Sequence, residues 1–374
     1  MTITEVRSRR VTAALHTPFV TALRRTTTMT TLVVTVSDDA GHTGYGEAPQ
    51  VWQVTGASVA GSQACVTEVF APLLRGRDPD DLVGLCRAVR RAVAGNEAAK
   101  AAVDVALHDL AAHRLGVPLA RLLGGAGDAA ALRVATDVTL AAGTAAELAG
   151  AAGARVADGF DVLKMKVGTD AAGDVARVRA VREAVGPATR LRLDANQGWT
   201  PREAVGVIRA IENAGLDVEL VEQPVVRADL DGLAWVTDRV TTPVLADEAV
   251  WSPRDLVEVI RRRAADLVNV KLAKCGGLGP ARTLLALAEE YGVGTMVGSM
   301  MEGPIGVGAA ASLVAATGTT AVSDLDAAWW LAQPLVKGGP GYSGPTVVLP
   351  DAPGLGIAGM MPCGNESDVS PSWE

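Results

Sequence analysis

The stretch Leu191-Arg192-Leu193-Asp194 has the pattern of a short buried strand that ends in a carboxylate, and Val218-Glu219-Leu220-Val221-Glu222 repeats it one unit later. Between them, residues 201–214 have the composition of a helix. The same alternation continues on both sides, with strand candidates at residues 132–139, 161–166, 189–194, 218–222, 243–247, 267–271, 294–298 and 320–324. Alternation of this kind predicts a parallel sheet, and eight strands in about 200 residues predict a closed β/α barrel.

Two further segments flank the barrel region of this 374-residue chain, which is long enough for more than one domain. The N-terminal segment contains strands, marked by the β-branched run at 31–36, and then helices, which are clearest at 98–115. The C-terminal segment is rich in Gly and Pro, and its last part, 362–374, is predicted to be a mobile tail. We therefore expect an N-terminal α+β domain at 1–125, the barrel at 126–330 and a C-terminal segment at 331–374.

Composition and charge argue against several classes of partner. Hydrophobic residues make up 49% of the chain and charged residues 20%, as in a globular protein. The formal net charge of −8 and the lack of a Lys/Arg stripe argue against nucleic acid. No apolar run reaches the length of a membrane span and no secretory signal is evident, so no membrane partner is expected. The four cysteines lie far apart without a CxxC motif, which favours the reducing cytoplasm.

Charged residues close five successive strand candidates, although a buried strand normally ends in apolar or small residues. They are Lys166 (with Lys164 two residues earlier), Asp194, Glu222, Asp247 and Lys271. The intervals between them are 28, 28, 25 and 24 residues, and each corresponds to one β/α unit. Because the carboxyl ends of successive strands converge on one mouth of a β/α barrel, we expect these side chains to share one small space.

Three carboxylates on neighbouring strands repel one another unless a cation lies among them, and their oxygens suit Mg²⁺, with Mn²⁺ as an alternative. Such an ion could take a substrate carboxylate as a bidentate ligand and stabilise the enediolate that forms when the α-proton leaves. Lys166 and Lys271 come from strands on either side of the acids, so they can reach opposite faces of the substrate's α-carbon. The charge of Lys164, on the same side of the strand, is expected to favour a neutral amine at Lys166.

Each of these residues also has an ordinary structural interpretation. A Lys-x-Lys pair on a strand is usually a solvated face, and an Asp after a strand is usually a helix N-cap. Asp247-Glu248 could be such a cap, and Glu222-Gln223-Pro224 could be a turn. Their joint occurrence at the same end of five successive strands favours one shared site.

The motifs resemble the muconate-lactonising-enzyme branch of the enolase superfamily. The matching stretches are Lys164-Met165-Lys166, Asp194-Ala195-Asn196-Gln197, Glu222-Gln223-Pro224, Asp247-Glu248 and Lys271-Leu272-Ala273-Lys274. The resemblance extends to about residue 360. It implies an α/β fold, a modified TIM barrel (β/α)₇β with an N-terminal α+β capping domain completed by the C-terminal segment. It also implies Asp194, Glu222 and Asp247 as metal ligands and Lys166 and Lys271 as an acid/base pair, supported by Lys164.

Within this branch the chain most resembles the dipeptide epimerases. All four histidines precede the barrel, so none can supply the barrel His-Asp dyad of mandelate racemase-like members. Asp324 and Asp326 resemble the pair that holds a substrate's α-ammonium, although alone they would be an acidic turn or an N-cap. Arg24 lies in a stretch similar to a capping loop of L-Ala-D/L-Glu epimerases and would meet a glutamate side chain. Substrate contacts are also implied for Thr55 in the second capping loop and for Asn196 and Ser299 in the barrel.

The resemblance implies an isomerase, a Mg²⁺-dependent epimerase that acts on the C-terminal residue of a dipeptide such as L-Ala-D/L-Glu by two-base 1,1-proton transfer. A role in cell-wall peptide metabolism and a homo-oligomer are further expectations. The same lysines serve related reactions, so o-succinylbenzoate synthase, N-acylamino acid racemase and muconate cycloisomerase stay open as alternatives. A non-catalytic metal-binding scaffold would leave two inward lysines without a purpose. Two positions depart from the L-Ala-D/L-Glu epimerase pattern: Gly303-Pro304 replaces a polar and a basic residue, and Trp52 replaces an aliphatic one.

Overall fold

A computed structural model describes residues 1–20, 25–126 and 132–362. Two of the sequence predictions lie outside these ranges, namely the substrate contact at Arg24 and, from residue 363 onward, the mobile tail. Within the described residues, no helix is both long enough and apolar enough to cross a membrane.

The N-terminal region is an antiparallel sheet covered by helices. Its strands β1 (Ile3–Val20), β2 (Arg25–Asp38) and β3 (Thr43–Pro49) pair in sequence order. The helices are α1 (Val59–Ala64), a π-helical continuation at Cys65–Phe70, α2 (Ala71–Leu74), α3 (Leu82–Ala92), α4 (Glu97–Leu115) and α5 (Leu119–Leu122). Helix α4 lies so close to β3 that a β-carbon on Gly46 would come 1.8 Å from the backbone oxygen of Ala102. A glycine at this position is therefore required for the sheet and the helix to pack.

The central region alternates strands and helices, and its strands form one parallel sheet in sequence order after the short β4 (Arg133–Ala135). The parallel strands are β5 (Val138–Leu140), β6 (Val162–Lys166), β7 (Arg190–Asp194), β8 (Val218–Glu222), β9 (Val244–Ala246), β10 (Leu267–Lys271) and β11 (Gly294–Gly298). The helices are α6 (Ala145–Ala157), α7 (Ala171–Val185), α8 (Pro201–Asn213), α9 (Leu230–Thr237), α10 (Pro253–Arg262), α11 (Leu272–Cys275), α12 (Leu278–Glu290) and α13 (Pro304–Thr317). Most side chains of the parallel strands are buried, because helices cover the outer face of the sheet.

Residues 323–324 close this sheet into a barrel. Ser323 forms a parallel bridge to Thr136, just before β5, and Asp324 forms one to Gly298 at the end of β11. Of the strand predicted at 320–324, the structure thus keeps only these two bridging residues, which join the two edges of the sheet. The predicted fold, a (β/α)₇β barrel with an α+β capping domain, is confirmed.

The last described segment contains a 3₁₀ turn at Ala327–Trp330 and four short strands, β12 (Val336–Gly338), β13 (Gly341–Tyr342), β14 (Thr346–Val348) and β15 (Ile357–Met360). Strand β14 pairs antiparallel with β4, so the strand predicted at 132–139 is two elements, of which the second belongs to the barrel. The segment also contacts the capping helices: the backbone oxygen of Gly354 accepts from the N–H of Leu119, and the N–H of Leu355 donates to the side-chain carboxylate of Asp109. It therefore touches both other regions of the chain.

Reciprocal capping boxes fix where three barrel helices begin. In each box the N-cap hydroxyl accepts from the backbone three residues on, and an acidic side chain there accepts from the N-cap backbone. Helices α6, α8 and α10 follow β5, β7 and β9, so the boxes lie on the side of the barrel where the strands end. They are Thr144 with Glu147, Thr200 with Glu203, and Ser252 with Asp255.

Glu47, near the end of β3, joins the capping domain to the barrel. Its carboxylate accepts hydrogen bonds from the backbone N–H groups of Gly303 at 2.6 Å and Gly306 at 3.0 Å, at the start of α13. A β-carbon on Gly303 would lie 3.1 Å from Glu47 Oε1, which is a crowded distance. Pro304 occupies the first turn of α13, where a missing N–H costs nothing. The departure at Gly303-Pro304 therefore serves the contact between the two domains.

Glu302, beside this junction, gives the stability of the fold a pH dependence. Burial and the nearby Glu47 raise the pKa of Glu302 from 4.5 to about 8. The folded state holds the proton of Glu302 more tightly than the unfolded chain does. Protonated Glu302 therefore stabilises the fold below pH 4.5, and this stabilisation is lost as the pH rises through about 8. In Glu302→Gln, the free energy of unfolding should fall less steeply over this window, by up to about 1.4 kcal/mol per pH unit.

Urea unfolding at several pH values tests this expectation. The matched control is Glu290→Gln, which changes an exposed carboxylate on α12 and should keep the wild-type slope. The same slope in Glu302→Gln and in the wild type would contradict a role for Glu302.

Candidate active site

The carboxyl ends of strands β6 to β10 meet at one mouth of the barrel. In the parallel pairing, Lys166 lies beside Asp194, and Asp194 lies beside Glu222. Asp247 directly follows β9, and Lys271 is the last residue of β10. Because adjacent strands are about 4.8 Å apart, this register places the side chains within reach of one another. The structure brings together all five charged strand ends that the sequence singles out.

Asp194, Glu222 and Asp247 form a buried group of carboxylates at this mouth. The side chains of Asp194 and Glu222 have no exposed surface, and Asp247 is 1% exposed. Burial and the neighbouring Asp194 raise the pKa of Glu222 to about 7, as expected for two carboxylates side by side. Positively charged groups near these three carboxylates are therefore strongly stabilised.

Two lysines meet the carboxylate group from opposite sides. Lys166 Nζ lies 2.6 Å from Asp194 Oδ2, and Lys271 Nζ lies 2.8 Å from Asp247 Oδ2. Burial alone would lower the pKa of Lys271, but Asp247 and Glu222 hold that pKa above its ordinary value. Both lysines line the central cavity of the barrel mouth.

Lys164 makes a different set of contacts. Its Nζ lies 2.5 Å from Asp324 Oδ2, 3.4 Å from Glu222 Oε2 and 3.6 Å from Asp194 Oδ2. Burial would raise the pKa of Asp324, but Lys164 and Lys271 lower it to about 2. Lys164 therefore ties Asp324 to the carboxylate group.

Lys274 and Asn269 hold the acids in place, although sequence reasoning assigned them no role. Lys274 Nζ donates to both Oδ1 and the backbone oxygen of Asp247, each at 2.5 Å, and it is 1% exposed. Asn269 Nδ2 donates to Glu222 Oε1 at 2.8 Å. The motif at 271–274 ends in this lysine, and the one-turn helix α11 places it under Asp247. The spacing of Lys274, about one helical turn after Lys271, is therefore the sequence feature that indicates its role.

Several buried oxygens at the mouth have no hydrogen-bond partner among the described residues. Two of them are Glu248 Oε2 and Asn196 Oδ1, and Asn196 Nδ2 donates to Glu248 Oε1 at 3.3 Å. Burial, with Asp247 and Asp194 nearby, raises the pKa of Glu248 to about 8. Buried acceptors without a donor call for a cation or water.

The donor set of this mouth fits a hard divalent cation. Asp194 and Glu222 lie side by side in the strand register, Asp247 follows the next strand, and the unsatisfied acceptors of Glu248 and Asn196 belong to residues that line the same cavity as Asp247. Mg²⁺ prefers oxygen ligands of this kind and usually keeps positions for water or substrate. These residues could therefore hold Mg²⁺.

Four of the predicted substrate-binding residues lie together. Asn196, Ser299, Asp324 and Asp326 line the same central cavity as the lysines. Barrel closure places two of them, because the backbone N–H of Ser299 donates to the backbone oxygen of Asp324 at 2.9 Å. Arg24 belongs to the part of the chain that is not described.

Thr55 does not join this cavity. It lines a separate cavity with Trp251, and its hydroxyl donates to the backbone oxygen of Val51 at 3.1 Å. The Thr55 side chain therefore stabilises the turn of the second capping loop. The same loop reaches the central cavity through Val51 and Val54 instead.

Apart from Thr139, the rest of the cavity wall is apolar and comes from both domains. Phe19, Val51 and Val54 lie in the two stretches that resemble capping loops, but the wall as a whole forms only when the capping domain covers the barrel. Trp52, the second departure noted in the sequence, is 50% exposed. The apolar wall consists of Phe19, Val51, Val54, Met300, Met301, Ala327 and Trp330.

Two protein-family descriptions match the chain over most of its length. Residues 146–360 match the enolase C-terminal domain-like family, and residues 3–124 match the mandelate racemase / muconate lactonizing enzyme N-terminal domain. The chain belongs to the mandelate racemase / muconate lactonizing enzyme family of the enolase superfamily. This confirms the family resemblance found in the strand-end motifs.

Similar members of this family include dipeptide epimerases. The chain is 42% identical to the L-Ala-D/L-Glu epimerase of Bacillus subtilis, over 96% of this chain and 97% of the relative. A solved structure of a substrate-liganded complex of that epimerase has a TM-score of 0.93 and is covered completely. The structure of a dipeptide epimerase from Enterococcus faecalis V583, complexed with Mg and the dipeptide L-Leu-L-Tyr, has a TM-score of 0.91 at 38% identity. The match covers 96% of this chain and 99% of the Enterococcus faecalis chain.

Proposed function

We propose that this family member is an isomerase, a Mg²⁺-dependent epimerase that inverts the C-terminal residue of a dipeptide. The observation that carries the proposal is the placement of Lys166 and Lys271 on opposite sides of a buried carboxylate group. The cavity they share also contains Asp324 and Asp326. Similarity to dipeptide epimerases over 96% of the chain supports the proposal.

Asp194, Glu222 and Asp247 would hold the Mg²⁺ ion. When bound, the ion would supply positive charge to the substrate carboxylate and stabilise the negative charge that develops there as the α-proton leaves. The oxygen donors and the unsatisfied acceptors of the mouth support this assignment. So does the Mg complex of the Enterococcus faecalis epimerase, and Mn²⁺ suits the same ligands.

Lys166 and Lys271 would move the proton at the substrate's α-carbon. The neutral lysine removes the proton with its Nζ, and the protonated lysine returns one to the opposite face. The roles exchange in the reverse direction. Burial would lower the pKa of Lys164, but Asp324 and Glu222 hold that pKa well above its ordinary range. Lys164 therefore stays protonated and supports the site as a fixed charge.

Asp324 and Asp326 would bind the N-terminal ammonium of the dipeptide. An ammonium is well bound by carboxylates, whereas an N-acyl or succinyl group at the same place meets negative charge without gaining a partner. This argues against N-acylamino acid racemase and o-succinylbenzoate synthase activity. Muconate also lacks an ammonium. Similarity to the Bacillus subtilis epimerase favours L-Ala-D/L-Glu or a related dipeptide, with Arg24 as the partner of the glutamate side chain.

The proposed setting is the cytoplasm. Cys65, Cys86 and Cys275 are free thiols, which suits a reducing compartment. A dipeptide of alanine and glutamate would connect the enzyme to cell-wall peptide metabolism. Assembly into a homo-oligomer and the domain limits at residues 125 and 330 stay predictions.

Proton exchange in D₂O tests the proposed function directly. A dipeptide library is incubated with the protein and Mg²⁺, and mass spectrometry with chiral chromatography follows the products. We expect deuterium at the α-carbon of the C-terminal residue and both epimers of that residue, first in dipeptides similar to L-Ala-L-Glu. The matched control is an N-succinyl amino acid with the same C-terminal residue. Turnover of the succinyl compound without exchange in any dipeptide would sink the epimerase proposal.

A further inference from the structure

Asp326 is held by the protein through one of its two oxygens. Its Oδ2 accepts a hydrogen bond from the backbone N–H of Thr139 at 2.8 Å and another from the indole Nε1–H of Trp330 at 2.9 Å. Among the described residues no hydrogen bond reaches Oδ1, and the side chain lines the central cavity. The carboxylate is therefore oriented with Oδ2 bound to the protein and Oδ1 available to a ligand.

Aromatic packing from the capping domain fixes Trp330. The residue is 4% exposed, and its ring lies 5.2 Å from His16 in a stacked arrangement and 5.8 Å from Phe19 edge to face. Strand β1 is held next to it, because Ala332 donates a backbone hydrogen bond to Ala14 at 2.9 Å. The indole N–H is thus a rigid donor, supported by the domain that covers the barrel.

We propose that Trp330 is a positioning residue that orients Asp326 and so creates the subsite for the dipeptide's N-terminal ammonium. This inference rests on the proposed function and adds a residue outside the acid/base and metal groups. Asp324 is already paired with Lys164 at 2.5 Å, whereas no lysine or arginine of the described residues forms an ion pair with Asp326, so Asp326 is the carboxylate without a cationic partner. Its orientation therefore decides how well the ammonium is bound.

The hydrogen bond from Trp330 to Asp326 is charge-assisted, which makes it stronger than a bond between neutral groups. Without the indole N–H, the carboxylate loses a bond that favours its charged form, and the bond from Thr139 alone no longer fixes its rotation. Binding of an ammonium should weaken, because it depends on a fixed acceptor, whereas a ligand without an ammonium should be unaffected. This selectivity separates positioning of Asp326 from general packing of the cavity wall.

Trp330→Phe removes the N–H and keeps an aromatic ring against His16 and Phe19. For L-Ala-L-Glu with Mg²⁺ present, we expect KM to rise about 10- to 100-fold and kcat to change less than about threefold. The inhibition constant of N-propionyl-L-glutamate, which lacks the ammonium but has the same shape, should change less than about twofold. The matched control is Trp235→Phe, which makes the same change at a partly exposed tryptophan of α9 outside the cavity and should keep the preference for the dipeptide.

If Trp330→Phe weakens the binding of both ligands equally, Trp330 only packs in the cavity wall and the inference is overturned. No change in the binding of either ligand would also overturn it. In a double-mutant cycle, Trp330→Phe should add little to the loss of ammonium preference caused by Asp326→Asn. Additive losses would also overturn it. If the wild type epimerises no dipeptide, the proposed function fails, and calorimetric binding of the two ligands then decides the role of Trp330 separately.

A second measurement needs no variant at position 330. In protein labelled with ¹⁵N-tryptophan, the indole signal of Trp330 is the one that moves in Asp326→Asn, because that change alters its acceptor. We expect this signal to shift when L-Ala-L-Glu binds and to stay in place when N-propionyl-L-glutamate binds. Equal shifts, or no shift with the dipeptide, would contradict a link between Trp330 and the ammonium.

Discussion

Replacing either Lys166 or Lys271 with alanine is expected to lower the epimerisation rate of L-Ala-L-Glu by about 100- to 10,000-fold. Lys166 Nζ lies 2.6 Å from Asp194, and Lys271 Nζ lies 2.8 Å from Asp247. The strands that end in these lysines, β6 and β10, are separated in the sheet by β7, β8 and β9. Neither lysine can therefore take the position of the other. Because inversion needs a proton removed from one face and returned to the opposite face, loss of either lysine interrupts it. Chiral chromatography of the products gives the rate.

The two alanine variants should differ in the epimer that still exchanges its α-proton. A variant that keeps one lysine can remove and return a proton on that lysine's face, so deuterium from D₂O enters one epimer without inversion. We expect opposite epimers to exchange in Lys166→Ala and Lys271→Ala. Lys337→Ala, which removes an exposed lysine on β12, is the control and should behave as the wild type. Normal epimerisation by either site variant would show that the two-base mechanism is wrong.

The barrel and its charged mouth could be predicted because both follow from local patterns. Strands such as β8 are five residues long and mostly buried, so a carboxylate at the last position is unusual unless it faces the mouth. The intervals of 28, 28, 25 and 24 residues then assign one charged residue to each β/α unit. The parallel register follows, and it places Lys166, Asp194 and Glu222 side by side.

Contacts that depend on distant segments could not be predicted in this way. Residues 132–139 have strand composition throughout, but their first half pairs with β14 near the other end of the chain. The direction of the Thr55 side chain depends on a hydrogen bond within its own loop. Lys274 and Trp330 reach Asp247 and Asp326 because of a short helix and a 3₁₀ turn, whose side-chain directions no periodic pattern specifies.

Loss of the metal site is expected to abolish α-proton exchange in both epimers as well as epimerisation, which separates this change from the loss of one lysine. Asp194→Asn removes the carboxylate that lies directly beside Glu222 in the strand register. The cation then has one negatively charged ligand fewer and should stabilise the developing negative charge less well. We therefore expect kcat to fall by roughly 1,000-fold or more. Chelation of Mg²⁺ should give the same loss in the wild type, and added Mg²⁺ should restore activity there but not in Asp194→Asn.

Binding of Mg²⁺ can be measured apart from catalysis, since a ligand that binds only the folded state raises Tm by mass action. We expect Mg²⁺ to raise the Tm of the wild type and to leave that of Asp194→Asn nearly unchanged. The matched control is Asp161→Asn, which alters an exposed carboxylate just before β6, at the opposite end of the barrel from the mouth. It should keep the full response. Equal Mg²⁺ affinity in Asp194→Asn and the wild type would mean that the ion binds elsewhere, and Asp194, Glu222 and Asp247 would then be a buried ion-pair network with the lysines.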